Sequence, residues 1–347
     1  MKILLVGSDL SMSLEPVYAR HLRALHADVF HFPAPDIVFD YHSKHLLNKA
    51  LFKSGIYRGY KPVNRRLIEL ANTCQPDIIW IFKGMEIYPD TLRVLKGRFK
   101  LVNYNPDHPF IIASRGSGNS NVTRSVGLFH LHLCYHSILQ KEIENRYHIP
   151  TAFLPFGFEL EEGDYAAAEA QKEVLRVCFL GNPDNIRVET LLEIANSGLP
   201  VDVYGHGWDK TAIGTHPSIG VFDAVYGADF WKKLRQYRVQ INIFRKHNAG
   251  SHNMRTFEVP AVGGIGLMPY SDEQTAFFEE GREVFFYRSM EDLKRQARLL
   301  LSLPEEQAAA IRIAARSRSL ASGYSYASRA KTVFDCFKLL SDGKLVV

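Results

Sequence analysis

The sequence predicts an α/β protein made of two Rossmann-like, doubly wound halves. Three observations carry this expectation. Short aliphatic runs that end in Gly or a turn alternate with helix-like stretches along most of the chain, and repeated strand–helix alternation gives parallel sheets covered by helices. The pattern restarts midway, where VLRVCFLG echoes the opening KILLVG. The length of 347 residues, with 46% hydrophobic and 23% charged residues, suits two ordinary domains, each able to bury a core.

In order, Ile3–Val6 reads as a strand buried on both faces, turned by Gly7-Ser8-Asp9 into a helix from about Leu14 to Leu25. Val29–Phe32 is a second strand, punctuated by Pro33 and Pro35, and a basic, aromatic region spans Tyr41–Lys61. A helix over Pro62–Asn72 leads to the strand IIWIF, which ends at Lys83-Gly84. A helix over Pro89–Lys96, the strand KLVNY and the loop Asn105-Pro106-Asp107-His108-Pro109 follow. That loop lies at the C-terminal end of a strand, where open α/β sheets bind ligands. Arg115–Asn121 reads as a mobile polar loop, HLHLCYHS as a strand, and Ile138–Tyr147 as a helix.

The acidic, Ala-rich stretch Glu161–Glu173 reads as the linker. Beyond it come a helix over Val188–Ser197, a strand over Pro200–Tyr204 tipped by Gly205-His206-Gly207, and a helix around Phe230–Tyr237. The strands VQINIF, GIGLMP and EVFFY, a helix over Met290–Leu303 and a helical tail broken near Gly323 complete the chain. The expected division is 1–160, 174–320 and a tail over 321–347.

The stretch SHNMRTFEVPAVGGIG (251–266) organises the chemistry. Ser251, Asn253, Arg255 and Thr256 open a short helix, Glu258 sits in its first turns, and Gly263 and Gly264 stop it. A helix N-terminus offers unpaired N–H groups and a positive dipole end. With Arg255 beside it the anion it suits is a phosphate, and Glu258 suits a sugar diol. The plain alternative is an Arg255–Glu258 pair within the helix. Gly181, ending a strand, and Arg187, near the start of the next helix, suit a diphosphate, and Gly205-His206-Gly207 would let a ligand approach closely. Asp107 and His108, stiffened by flanking prolines, suit a general base for an acceptor hydroxyl; alternatively, Asp107 caps the following segment.

Several classes are excluded. Gly7 stands outside any G-x-G-x-x-G pattern, and the chain has no P-loop, G-x-S-x-G or D-x-D pair in a suitable loop. His132, Cys134, His136 and Asp107 lack zinc-ligand spacing, so neither a metal nor a cofactor is expected. Four scattered cysteines read as reduced thiols of a cytoplasmic protein. The apolar run at the N-terminus is too short for a signal peptide, and no stretch is long enough to span a bilayer. A net charge of +5 permits acidic ligands or peripheral membrane contact without demanding nucleic acid. The basic-aromatic stretch Phe52–Arg66 suits contact with nucleic acid or lipid headgroups, an exposed loop or an acceptor-binding insertion.

NMRTFEVPAVGG, FFEEGREVFFYRSMEDL and GYSYASRAKTVFD, with KPVNRRLIELANTCQPDIIWIFKG and NYNPDHPF from the first half, resemble the "glycosyl transferases group 1" superfamily, and within it the spore-maturation CgeB-like branch. The resemblance implies a GT-B fold, two Rossmann-like domains facing each other across a cleft. It also implies a nucleotide-diphosphate sugar donor on the C-terminal domain, and a saccharide, lipid-linked or protein acceptor on the N-terminal one. Glu258 matches the second Glu of the family's E-x7-E motif, which holds the donor ribose, whereas Gly250 stands at the first. Arg187 resembles a donor-phosphate cation, and Tyr326–Arg329 a tail helix that crosses back. The expected activity is metal-independent glycosyl transfer. An epimerase of the same fold, or a non-catalytic sugar- or nucleotide-binding subunit, stays open.

Overall fold

A computed structural model describes residues 1–43, 59–111, 116–245 and 250–345. Residues 52–58 of the basic-aromatic stretch and Arg115 of the expected polar loop lie outside the described residues. The chain divides into two compact units, Met1–Pro155 with Tyr326–Val347, and Phe156–Ser325.

The first unit runs β1 (Lys2–Val6), α1 (Leu14–Ala24), β2 (Asp28–Phe32), α2 (Ala34–Ser43), α3 (Tyr60–Cys74), β3 (Ile78–Phe82), α4 (Pro89–Lys96), β4 (Lys100–Asn105), α5 (Ser120–Ser125), β5 (Leu131–Cys134), α6 (Ser137–Tyr147) and β6 (Thr151–Phe153). Its six strands lie in the order β2-β1-β3-β4-β5-β6 with every pair parallel. All five residues of β3, IIWIF, are buried, as expected of a strand covered on both faces.

The second unit runs α7 (Glu162–Glu169), β7 (Val174–Leu180), α8 (Asn185–Asn196), β8 (Val201–Tyr204), β9 (Ile219–Phe222), α9 (Gly227–Gln236), β10 (Tyr237–Ile241), α10 (Met254–Ala261), β11 (Gly266–Pro269), α11 (Asp272–Thr275), β12 (Phe285–Tyr287), α12 (Met290–Ser302) and α13 (Glu305–Ala321). Its strand order is β12-β11-β10-β7-β8-β9, again wholly parallel. In each sheet the order reverses once, between β1 and β3 and between β7 and β10. At such a point the loops leave in opposite directions and open a crevice outside the strand ends.

The last helix, α14 (Tyr326–Ser341), belongs to the first unit. Tyr326 meets the Tyr18 ring edge-on at 5.5 Å, and Phe337 meets Trp80 at 5.4 Å. With Phe82 and Tyr104 these rings form an aromatic core, whose edge-to-face pairs add about 0.5–1.5 kcal/mol each beyond area burial.

Three expectations need correction. The stretch read as a linker folds into α7, whose Ala168 is buried within the second unit. Its Ala content is helix-forming, which outweighs its acidity. Pro33 and Pro35 do not merely end β2, because Ala34-Pro35 opens α2 and proline is tolerated in a helix's first turn. The expected polar loop ends two residues early: Ser120 and Asn121 open α5, whose N-cap Asn119 accepts from the Asn121 and Val122 amides. All four cysteines are free thiols, three of them buried. Among the described residues, no helix is long and apolar enough to cross a membrane.

Candidate functional site

The reversal point of the second sheet gathers most of the residues singled out from the sequence. Strand β7 ends in Gly181, whose amide donates to Tyr204 O at 2.9 Å. A Cβ on Gly205 would collide with the Gly181 carbonyl and lie 2.9 Å from Trp208 Nε1, so the tips of β7 and β8 press together only because position 205 is glycine. Trp208 Nε1 closes the junction by donating to Gly181 O at 2.9 Å. Asn182 Oδ1 receives the His206 amide at 3.0 Å, and His206 Nε2 lies 3.0 Å from the Tyr226 hydroxyl.

Helix α10 starts beside this junction. Asn253 and Thr256 make a reciprocal capping box, which fixes the helix start. The Asn253 amide also pairs twice with the Asn242 amide beyond β10, at 2.8 and 2.9 Å. Ser251 Oγ donates to Glu273 at 2.7 Å, and Thr256 Oγ1 donates to Gln274 at 2.8 Å. Ser251 is 1% exposed and Thr256 0%, and both side chains tie the helix start to Glu273 and Gln274. Gly263 and Gly264 follow the helix. They lie at the other end of α10, where Gly263 O accepts from Arg312 at 3.0 Å. A Cβ on Gly264 would sit 2.8 Å from Leu234 O.

Three guanidinium groups converge on the Leu180–Asp184 turn. Arg187 donates to Asn182 O at 2.8 Å and stacks 5.1 Å over the Phe179 ring. Arg245 lies 3.8 Å from Asp184. Arg255 reaches Leu180 O at 3.5 Å, lies 4.3 Å over the Phe230 ring and pairs with Glu258. Burial pulls the Arg187 guanidinium down to about 10; Asp184 opposes this, and Arg245 and Arg255 add to it. Arg187 Nε lies 3.4 Å from Asp184 Oδ2, and among the described residues the buried Arg255 Nε has no hydrogen-bond acceptor, although buried donors are ordinarily satisfied. Arg245 escaped the sequence reading, although its place just beyond β10 was a usable signal.

In the first unit, Asp107 and His108 follow β4 as expected. Lys83 Nζ lies 2.7 Å from Asp107 Oδ2. His108 Nδ1 accepts the Phe110 amide at 3.3 Å, while its Nε2 lies 3.8 Å from Glu142. The alternating histidines of β5 face inward: His132 Nε2 lies 2.8 Å from Val126 O, and burial lowers its pKa to about 4.

With this geometry in place, the chain was compared with known proteins. Residues 187–335 match the family model described as "Glycosyl transferase-like", and no curated protein sequence matches. Sucrose-phosphate synthase from Thermosynechococcus elongatus superposes with a TM-score of 0.69 at 10% identity, covering 99% of this chain and 100% of that one. HepE of Anabaena, solved with UDP-glucose, gives 0.64 at 13% identity, covering 97% and 99%. A Listeria monocytogenes protein described as a UDP-N-acetylglucosamine 2-epimerase gives 0.57 at 12% identity, covering 99% and 97%. The fold is GT-B. In GT-B terms the Arg187–Arg245–Arg255 cluster stands on the C-terminal Rossmann-like unit, and the Asp107 loop on the N-terminal one.

Proposed function

We propose that the protein transfers a glycosyl group from a nucleotide-diphosphate sugar to an acceptor hydroxyl. The observation that carries this reading is the convergence of Arg187, Arg245 and Arg255 on the glycine-tipped end of β7, beside the N-terminus of α10. A departing diphosphate needs its charge neutralised, and guanidinium groups with a helix dipole supply that positive charge. Glu258, 7% exposed, would exchange its bond from Arg255 for the ribose diol while Arg255 turns to phosphate. His206 and Gly205 would flank the nucleotide.

The match to the glycosyl transferase-like model supports this reading, and so does the UDP-glucose carried by HepE, whose fold this chain shares. The order of motifs in both halves supports placement in the CgeB-like branch, with a saccharide, lipid-linked or protein acceptor. A panel of UDP-, GDP- and dTDP-sugars tests the reading. Release of nucleoside diphosphate, accelerated by an acceptor, is the expected result. A new nucleotide-sugar isomer would mean an epimerase, and binding without turnover a non-catalytic subunit.

A further inference from the structure

The first unit carries a basic cavity at the N-terminal ends of its strands, the opposite edge of the sheet from its crevice. Pro76-Asp77 leads into β3, Gly97-Arg98-Phe99 into β4 and His130 into β5. Parallel pairing of these strands brings the three entry turns side by side. They border a cavity of about 360 Å³, whose lining includes Asp77, Lys96, Arg98, Lys100 and His130. Small-molecule sites occupy about 300–1,000 Å³. At about 3.3 Å per residue, the length of β4 puts roughly 17 Å between this cavity and the Asp107 loop.

The charge of the cavity is one-sided. Among the described residues, the amines of Lys96 and Lys100 take no hydrogen bond or ion pair. Arg98 gives one donor to Asn72 Oδ1 at 2.7 Å and lies 5.5 Å over the Phe99 ring, which leaves the rest of its fork uncommitted. Asp77, the single carboxylate of the lining, already accepts the Lys2 amide at 2.7 Å. His130 Nδ1 accepts the Leu101 amide at 2.9 Å, so the neutral ring carries its proton on Nε2, as a donor. Burial first, and then repulsion by Lys96 and Lys100, lowers the His130 pKa to about 4; burial lowers that of Lys96 as well. At the C-terminal end of α4, Leu95 O is taken by the Arg98 and Phe99 amides at 3.0 and 2.9 Å, so the helix end presents one carbonyl fewer to an anion. An anion placed among these groups relieves the repulsion between them.

We propose that this cavity binds a small phosphate monoester, held by Lys96, Arg98 and Lys100 with His130 Nε2–H as a further donor. A dianion offers more charge to three cations than a carboxylate does, and the planar fork of Arg98 suits phosphate oxygens. The space beyond the phosphate takes the esterified group. The same headgroup is carried by soluble compounds and by a membrane lipid. The site is independent of the glycosyl-transfer reading.

The test titrates glycerol 3-phosphate into the full chain by calorimetry. A second arm floats the protein with phosphatidylcholine vesicles that contain or lack phosphatidic acid, whose headgroup is the same monoester. Saturable binding in at least one arm is expected, weakened about tenfold or more by Lys96→Met and by Lys100→Met. Lys172→Met, which removes an equal charge from an exposed position of the second unit, should leave it unchanged. Calorimetric binding assigns a soluble ligand, and flotation alone assigns the lipid headgroup. Lys100 is exposed at the start of β4, so Lys100→Met decides the question if Lys96→Met fails to fold. Absence of saturable binding in both arms, or a loss below about fivefold in Lys100→Met, overturns the site. An equal loss in Lys172→Met also overturns it, because net charge alone would then explain the binding.

Discussion

Arg255 donates to the Glu258 carboxylate one turn further along α10, while its guanidinium lies 4.3 Å over the Phe230 ring. The pair is thus held at the mouth of the arginine cluster instead of on a solvated helix face. If Glu258 holds the ribose, Glu258→Gln removes a charge-assisted hydrogen bond worth about 1.5–3 kcal/mol. Calorimetry should then show nucleoside diphosphate affinity weakened at least tenfold. An effect confined to a few tenths of a kcal/mol of stability, the value of an exposed i, i+3 pair, would return Glu258 to a helix-stabilising role.

Arg187 separates binding from stability. Burial disfavours its charge, Asp184 at 3.4 Å favours it, and Arg245 and Arg255 repel it. Arg187→Met keeps an unbranched apolar stem over Phe179 and removes the charge. The melting temperature without nucleotide should hold or rise, while the shift produced by saturating nucleoside diphosphate should fall to a small fraction of the wild-type value.

Chelation is a third test. Because the guanidinium groups supply the positive charge that a leaving diphosphate needs, turnover should survive excess EDTA. Loss of turnover restored by Mg²⁺ or Mn²⁺ would assign that charge to a metal.

Gly205→Ala probes the β7–β8 junction. The new Cβ would collide with the Gly181 carbonyl, and backbone cannot move aside as a flexible side chain can. Overpacking of this kind costs about 1–3 kcal/mol. Thermal melting should drop by roughly 2–4 °C for each kcal/mol lost in a unit of this size, and Gly163→Ala, with open space at its Cβ, serves as the control.

Glu86 makes stability depend on pH with a definite sign. Its carboxyl is raised from 4.5 to about 7, so the folded state prefers the neutral form. That preference is fully present below about pH 4.5 and is lost as pH rises through 7. At about 1.4 kcal/mol per pK unit, the loss amounts to at most about 3 kcal/mol. Glu86→Gln stays neutral throughout, so its stability advantage over wild type should be larger at pH 8 than at pH 5 in urea unfolding. An advantage that is constant with pH would mean that the carboxyl is not perturbed.

The strands were legible because parallel strands buried on both faces need continuous aliphatic runs, and IIWIF is such a run. The start of α10 was legible because Asn253 and Thr256 are both capping residues three positions apart. Functional assignments at single residues were harder. Gly263 reads in sequence as a helix stop, and its contact with Arg312, 49 residues away, has no local signal. The burial of Glu86 was not legible, because nothing local distinguishes it from a solvated Glu. Its raised carboxyl comes chiefly from burial, with Asp36 and Glu15 brought in from distant parts of the chain.

The return of α14 to the first unit imposes an order on biosynthesis. Chain leaving the ribosome presents Trp80 long before Phe337, and the aromatic core that joins them cannot close until the last helix has emerged. The second unit, contiguous from Phe156 to Ser325, is complete in sequence before then and can fold while the first still waits. Domains that fold as units during synthesis ordinarily do so from the N-terminal end; here the half that starts last can finish first. An incomplete translation product ending near Gly323 would therefore carry a finished arginine cluster beside a half with exposed apolar rings, a species suited to chaperone capture.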